Sequence, residues 1–465
     1  MSDKQKIFSR QVRIITADWI LPISGEPISG GAIAFEKDKI RAVGKIEKLK
    51  ENFPAADVEN FGAAAIMPGF VNAHAHLELT AMRGFLDYLE DDFSTWLITL
   101  SKTRAEKLTA ADIEISALWG AVEGLKAGVT CFADIGRSAK AGLEALKKTG
   151  LRGIVFQETG FSPQNETASE DFRRLKEKFL ALKNDETDLV KAGISPHSPY
   201  TVSRKLFEEI AAYAAGSSAE NIKISIHVAE SDAEIAFLKN GTGFFAKMYE
   251  KFGAAWDAPN LSPVEYLAQT GILQTKPLLA HCVKTTETDF ELIAASNSAI
   301  AHCPKSNAKF GHGVAPLEKF LEKNLRVGFG SDSVVSNNTC DIFEEARFAA
   351  LFARARADKN YRVTAEKILE TATRGGARAL GLEDEIGTLD AGKQADLIVV
   401  SLKHIAQQPV HDIYSALVFA SNARDVCLTI VAGEEIYRDG TAQKIDEAKL
   451  QSGIMEIARK INDNG

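Results

Sequence analysis

Ile66-Met67-Pro68-Gly69-Phe70-Val71-Asn72-Ala73-His74-Ala75-His76 decides how the chain is read. An apolar run broken only by Pro-Gly ends in two histidines one residue apart. Alternate residues on a strand project to one side, so both imidazoles can reach one cation. The same texture recurs downstream. Ile222 to His227, Pro277 to His281 and Ala299 to His302 are short apolar runs, each closed by a histidine, and His197 closes a similar segment. Val327 to Gly330 is followed by Ser331 and Asp332 instead. Randomly placed histidines would fall mostly on helices and surface loops.

Between these runs, and between Val129 to Phe132 and Gly153 to Phe156, the spacing changes. Asp112 to Ala127, Phe172 to Leu182, Ser203 to Ala215 and Glu287 to Ala295 carry apolar residues three and four apart, which predicts amphipathic helices. Seven or eight strand–helix repeats between residues 67 and 381 predict an α/β fold, a (β/α)8 TIM barrel. In such a barrel the strand C-terminal ends share one face, where loops assemble the active site. Outside that span the pattern is short strands and turns. Gln11 to Ile15, Ala32 to Phe35 and Ile40 to Val43 at one end, and Ala395 to Val400 and Val426 to Val431 at the other, read as antiparallel β structure. The expected organisation is a catalytic barrel over 67–381 and one small β-rich domain built from both chain ends, 1–66 plus 382–465.

Composition narrows the function. Of 465 residues, 45% are hydrophobic and 25% charged, which excludes disorder or low-complexity sequence as the main character. The 63 acidic residues outnumber the 55 basic ones, so neither nucleic acid nor an anionic membrane is expected as a partner. No apolar stretch reaches the ~18 residues of a membrane span. The segment Met1 to Arg10 is polar, and the five scattered cysteines contain no CxxC pair. Both point to a reduced, cytoplasmic setting.

The ordered motifs resemble the amidohydrolase superfamily, in its nucleoside-deaminase and triazine-hydrolase (chlorohydrolase) branch. They are Pro68 to His76, Met82-Arg83-Gly84, His197-Ser198-Pro199-Tyr200, His227-Val228-Ala229-Glu230, His281-Cys282, Cys303-Pro304-Lys305-Ser306-Asn307, Gly330-Ser331-Asp332 and Gly387 to Asp396. The resemblance covers nearly the whole chain. It implies one divalent metal ion per chain, zinc with iron as the alternative, held by His74, His76, His227 and Asp332. No lysine is placed to bridge a second ion, because Lys126 and Lys140 fall on helix-patterned sequence. Glu230, His281 and Asp332 are the implied catalytic residues. Asp332 would take a proton from water, His281 would position that water, and Glu230 would protonate the ring nitrogen beside the attacked carbon.

His197, Glu78, Arg83 and Trp96 are the expected substrate contacts, with Glu78 and Trp96 on a long loop after His76. For Arg83 a structural ion pair is the competing reading. His302 and Asn307 are expected to brace a loop, His312 has only its loop position to recommend it, and His404 and His411 are expected at the surface. Cys303 lacks an activating partner and is not expected to be a nucleophile.

The expected reaction is hydrolytic deamination of an amino-substituted purine nucleoside to the oxo product and ammonia. The run His74 to Thr80 and Ser262 to Leu267 are similar to aminodeoxyfutalosine deaminases, with adenosylhomocysteine and methylthioadenosine as further substrates of the branch. Phe244 to Asn260 is longer and more aromatic than the usual connection. A triazine hydrolase or a guanine-type deaminase on the same metal site is the alternative. The partner is then a small heterocycle or nucleoside, and homo-oligomerisation stays open. A binding protein that had lost catalysis would not need the full set of ligand and proton-transfer groups.

Overall fold

The computed structural model describes residues 12–216, 222–356 and 362–463. The polar segment 1–10 and Gln11 lie outside the described residues. Eight strands form one sheet in sequential order. They are β1 (Phe70–Ala75), β2 (Val129–Gly136), β3 (Arg152–Glu158), β4 (Val190–Ser195), β5 (Lys223–Val228), β6 (Leu278–His281), β7 (Ala299–His302) and β8 (Arg326–Phe329). Every neighbouring pair is parallel. The ring closes where the Asp332 N–H donates to the His74 carbonyl at 2.8 Å, beside a parallel bridge between Ala75 and Asp332.

Burial explains the continuous apolar runs. All residues of β1 and β2 are buried, as expected for strands covered by helices outside and packed side chains inside. The helix Ala110–Lys126 between them starts on a capping box made by Thr109 and Asp112. Phe172 to Leu182 and Glu287 to Ala295 lie within the helices Ala168–Lys183 and Glu287–Ser296, and Ser203 to Ala215 matches Arg204–Gly216 with Ser203 just before its first turn.

One expected strand divides in two. Ala64–Pro68 belongs to a second sheet, where it pairs antiparallel with Leu397–Ser401, and β1 begins only at Phe70. Gly69 is the crossing point: a Cβ there would lie 2.1 Å from the Thr130 side chain, so only glycine lets the chain pass.

The second sheet has seven strands and is mixed, combining Trp19–Ile20, Ile28–Ser29 and Ala64–Pro68 with four strands from 397–442. A further four-stranded sheet contains Arg13–Thr16, Gly31–Glu36, Lys39–Lys45 and Asp57–Asn60. Ile15, Ile33, Phe35, Ile66, Leu397, Val399, Leu428 and Ile430 share one buried apolar cluster of this β-rich part. A buried ion pair joins it to the barrel: Arg152 Nε at the start of β3 lies 2.8 Å from Asp396 Oδ2. Among the described residues no helix is long and apolar enough to cross a membrane.

Candidate metal centre and substrate cleft

Three strand ends bring four side chains to one point. His74 is on β1, His76 one residue past it, His227 on β5, and Asp332 three residues beyond β8. Gly330 permits that approach, because a Cβ there would sit 2.6 Å from His74 Cβ. Asp332 has φ +56°, Ala229 +53° and His281 +74°. Such left-handed conformations cost of order 1–3 kcal/mol each and cluster where side chains must be aimed.

The tautomers follow from the backbone. His76 Nδ1 is 3.0 Å from the Ile135 carbonyl and His227 Nδ1 is 3.0 Å from the His197 carbonyl. A carbonyl only accepts, so both Nδ1 atoms carry the proton and both Nε2 atoms present lone pairs. Those two Nε2 atoms lie 3.2 Å apart. Asp332 Oδ1 lies 3.3 Å from His74 Nε2 and 3.4 Å from His76 Nε2. Neither ring nitrogen of the fully buried His74 has a hydrogen-bond partner.

Protonation does not relieve this crowding of acceptors. Burial lowers the His74 and His227 pKa values and brings His76 to about 3. Burial opposes the Asp332 charge, but the adjacent His74 and the surrounding imidazoles hold its carboxyl well below its usual range. Neutral imidazoles and an ionised carboxylate crowded around one point fit a single divalent cation. Asp332 Oδ2 is meanwhile fixed by the hydroxyls of Ser306 at 2.5 Å and Ser336 at 2.9 Å, an outer set of donors that orients the carboxylate. Lys126 pairs with Glu447 and Lys140 with Asp185, and neither lines the cleft.

Two proton-transfer candidates stand beside the cluster. His281 Nδ1 is 2.9 Å from Asn307 Oδ1, and the His281 ring centroid is 5.4 Å from that of His74. Its Nε2 is 3.7 Å from Glu230 Oε1. Burial raises the Glu230 pKa, partly offset by His281. The Glu230 N–H donates to Glu234 Oε2 at 2.8 Å, which locks the loop after β5. His312 Nε2 lies 3.8 Å from Glu230 Oε1, so its loop position does bring it to the site.

An open cleft leads to this point. His76, His227, Glu230, His281, Asp332, His197, Glu78 and Trp96 all line it. Arg83 does not: it pairs with Glu123 and donates to the Asn338 carbonyl at 2.6 Å, the structural role. Glu78 and Trp96 do not share one long loop. Glu78 sits in the 3-10 turn Leu77–Met82, and Trp96 in the helix Phe93–Lys107. Trp96, Phe93 and Phe310 form an aromatic wall, with Trp96 and Phe310 ring centroids 4.8 Å apart.

Glu78 is fully engaged by Arg104 and the N–H groups of Arg137 and Ser138. Asn307 serves His281 rather than a loop alone, and His302 is buried with its Nδ1 unpaired. Cys303 is buried, and burial pushes its thiol far up, against nucleophilic use. His404 and His411 are exposed. The aromatic segment after Gly243 starts with the helix Phe244–Lys251, and Phe245 stacks on Tyr200 of the cleft wall at 4.0 Å.

Sequence reasoning passed over Glu158, Arg104 and Arg137, which also line the cleft, and Ser336, which holds Asp332 together with Ser306 of the motif Cys303 to Asn307. Glu158 ends β3, so the strand-end rule that found the histidines would have found it too. Burial raises its pKa to about 7, opposed chiefly by Arg137.

Comparison with known proteins agrees with this geometry. A 5-methylthioadenosine/S-adenosylhomocysteine deaminase of Moorella thermoacetica is 32% identical over 444 residues, covering 95% of this chain and 97% of that protein. An adenosine deaminase of Xanthomonas campestris, solved with bound zinc, superposes with a TM-score of 0.84 at 27% identity, covering 96% of this chain and 98% of that one. The aminofutalosine deaminase of Helicobacter pylori, solved with methylthio-coformycin, shares the fold with a TM-score of 0.77 at 23% identity over 91% of this chain and all of that one. The amidohydrolase family model matches residues 65–436, from the strand before β1 to the β-rich return, and the chain belongs to that family.

Proposed function

We propose that the protein is a metal-dependent hydrolytic deaminase that converts an adenine-type purine nucleoside to its oxo product and ammonia. The observation that carries this reading is the pair of Nε2 lone pairs of His76 and His227 facing each other at 3.2 Å, beside the adjacent Glu230 and His281. In this reading His74, His76, His227 and Asp332 hold one divalent ion, and zinc suits their nitrogen-rich set. That ion lowers the pKa of a water and so supplies a nucleophile near neutral pH.

The remaining chemistry belongs to the side chains. His281, its Nδ1–H donated to Asn307, turns Nε2 toward the cluster and orients the attacking water. Attack on the amine-bearing carbon breaks ring aromaticity, so the neighbouring ring nitrogen must be protonated. Glu230 supplies that proton, and burial, by raising its pKa, keeps it available. Asp332 takes one proton from the water and passes it to the departing amine. The second water proton returns to Glu230 as the carbonyl forms, so one water gives one ammonia and one oxo product.

The similarity to methylthioadenosine/adenosylhomocysteine and adenosine deaminases supports a nucleoside substrate. We assign catalysis to 67–381, with 1–66 and 382–465 as the supporting β-rich unit, and the five cysteines, none of them disulfide-bonded, support a cytoplasmic setting. Ammonia release by zinc-loaded protein across adenosine, 5-methylthioadenosine, S-adenosylhomocysteine, aminodeoxyfutalosine, guanine and a chlorotriazine tests the assignment. Release from the adenine nucleosides is expected. Turnover confined to guanine or the triazine would overturn it.

A further inference from the structure

β3 delivers a carboxylate to the cleft that the reaction above leaves unused. The Glu158 side chain is only 8% exposed, and its Oε1 is buried with no hydrogen-bond partner. Oε2 lies 3.5 Å from Arg137 Nε, a single loose contact. The nearby Glu78 is different, because Arg104 and two backbone N–H groups satisfy both of its oxygens. His197 stands beside Glu158, with Nε2 4.0 Å from Oε1, too far for a hydrogen bond. The Nδ1 of His197 is already occupied by the hydroxyls of Ser198 at 2.9 Å and Thr201 at 2.8 Å. Each residue therefore keeps one unused polar atom in the same corner of the cleft. The His197 ring lies one ring away from the metal cluster, its centroid 4.7 Å from that of His227.

Buried polar atoms without partners are rare, and one lining a cleft calls for a ligand that completes it. We propose that Glu158, together with His197, receives the sugar hydroxyls of the nucleoside and sets a preference for hydroxylated over deoxygenated sugars. The inference rests on the nucleoside reading above. A hydroxyl both donates and accepts, so it can donate to Glu158 Oε1 and can meet His197 Nε2 in either tautomer. A carboxylate at this corner would meet like charge. An apolar group would leave Oε1 unpaired, at the full cost of a buried unsatisfied acceptor. With the base at the cluster, one ring's width places the sugar alongside Glu158.

The reaction products test this without turnover. Calorimetric titration of the zinc-loaded protein with inosine and with 2′,3′-dideoxyinosine should show inosine bound ~10–100-fold more tightly, the worth of satisfying a buried acceptor that otherwise stays unpaired. Glu158→Ala should abolish that preference, and Glu158→Gln, which keeps shape and a neutral acceptor, should retain part of it. In parallel, Glu158→Gln should raise KM for adenosine far more than it lowers kcat. A parent protein that binds both products equally would overturn the inference, as would variants that weaken both equally. Hydroxyl preference without ammonia release from any adenine nucleoside would sink the proposed reaction and leave the hydroxyl site standing.

Discussion

Replacing Glu230 by Gln separates the proton shuttle from everything else in the site. Glu230 is 5% exposed, its backbone is pinned by Glu234, and its Oε1 lies 3.7 Å from His281 and 3.8 Å from His312. An amide of the same shape fills that space, so the packing and the metal cluster remain. What disappears is the transferable proton. Positioned acid–base groups contribute ~10²–10⁴-fold, and a group used at both attack and carbonyl formation belongs toward the upper end. In barrier terms the expected loss is about 3–5 kcal/mol. The assay is ammonia release at saturating substrate, with metal content and melting temperature measured on the same samples. A large fall in kcat with KM, metal occupancy and melting temperature near the parent values is the expected result. Parent-like turnover at full occupancy would refute the shuttle assignment, and loss of metal would show Glu230 to be a ligand.

Three further substitutions probe other parts of the molecule. His227→Ala removes one of the two opposed lone pairs and should weaken metal binding well beyond the ~10–100-fold typical of outer-sphere changes; elemental analysis showing one ion per chain after dialysis would refute its role. Arg83→Met should lower stability by about 1–2 kcal/mol through the lost Glu123 pair and Asn338 contact, with KM unchanged. A raised KM at unchanged melting temperature would return Arg83 to the substrate site. Glu234, whose pKa burial raises to about 8 against the backbone N–H groups of Glu230 and Ala229, keeps its proton in the folded chain while the unfolded chain loses it near pH 4.5. Its contribution to stability therefore falls as pH rises from about 4.5 to 8, by at most ~1.4 kcal/mol per unit. Melting temperatures between pH 5 and pH 8 should decline more steeply for the parent than for Glu234→Gln, and parallel declines would refute this.

How far the sequence foretells the site depends on which residue types each task demands. Metal binding draws on histidine, of which the chain has nine, so His74, His76 and His227 at the ends of apolar runs stand out against a sparse background. The eight-strand order is legible for the same reason, because each run is short, buried and followed by helical spacing. Where two buried strands follow each other, that signal fails. Ala64–Pro68 and Phe70–Ala75 are both wholly buried, so hydrophobicity cannot say that the chain leaves one sheet and enters another, and Pro68-Gly69 is the mark of the crossing.

Groups that act through distant partners are harder still. Arg83 finds Glu123 on another helix, and Ser306 reaches Asp332 from the separate short helix Pro304–Lys309; no local spacing encodes these meetings. Glu158 shows the sharper lesson. It obeys the same strand-end rule as the histidines, yet an acidic residue after Phe156 looks like the solvated start of a loop. Its meaning emerges only when burial removes the solvent and leaves Oε1 without a partner. A metal site can be read from the rarity of its ligands. A hydroxyl-binding site is built from common residues, and only their unmet hydrogen-bonding capacity sets it apart.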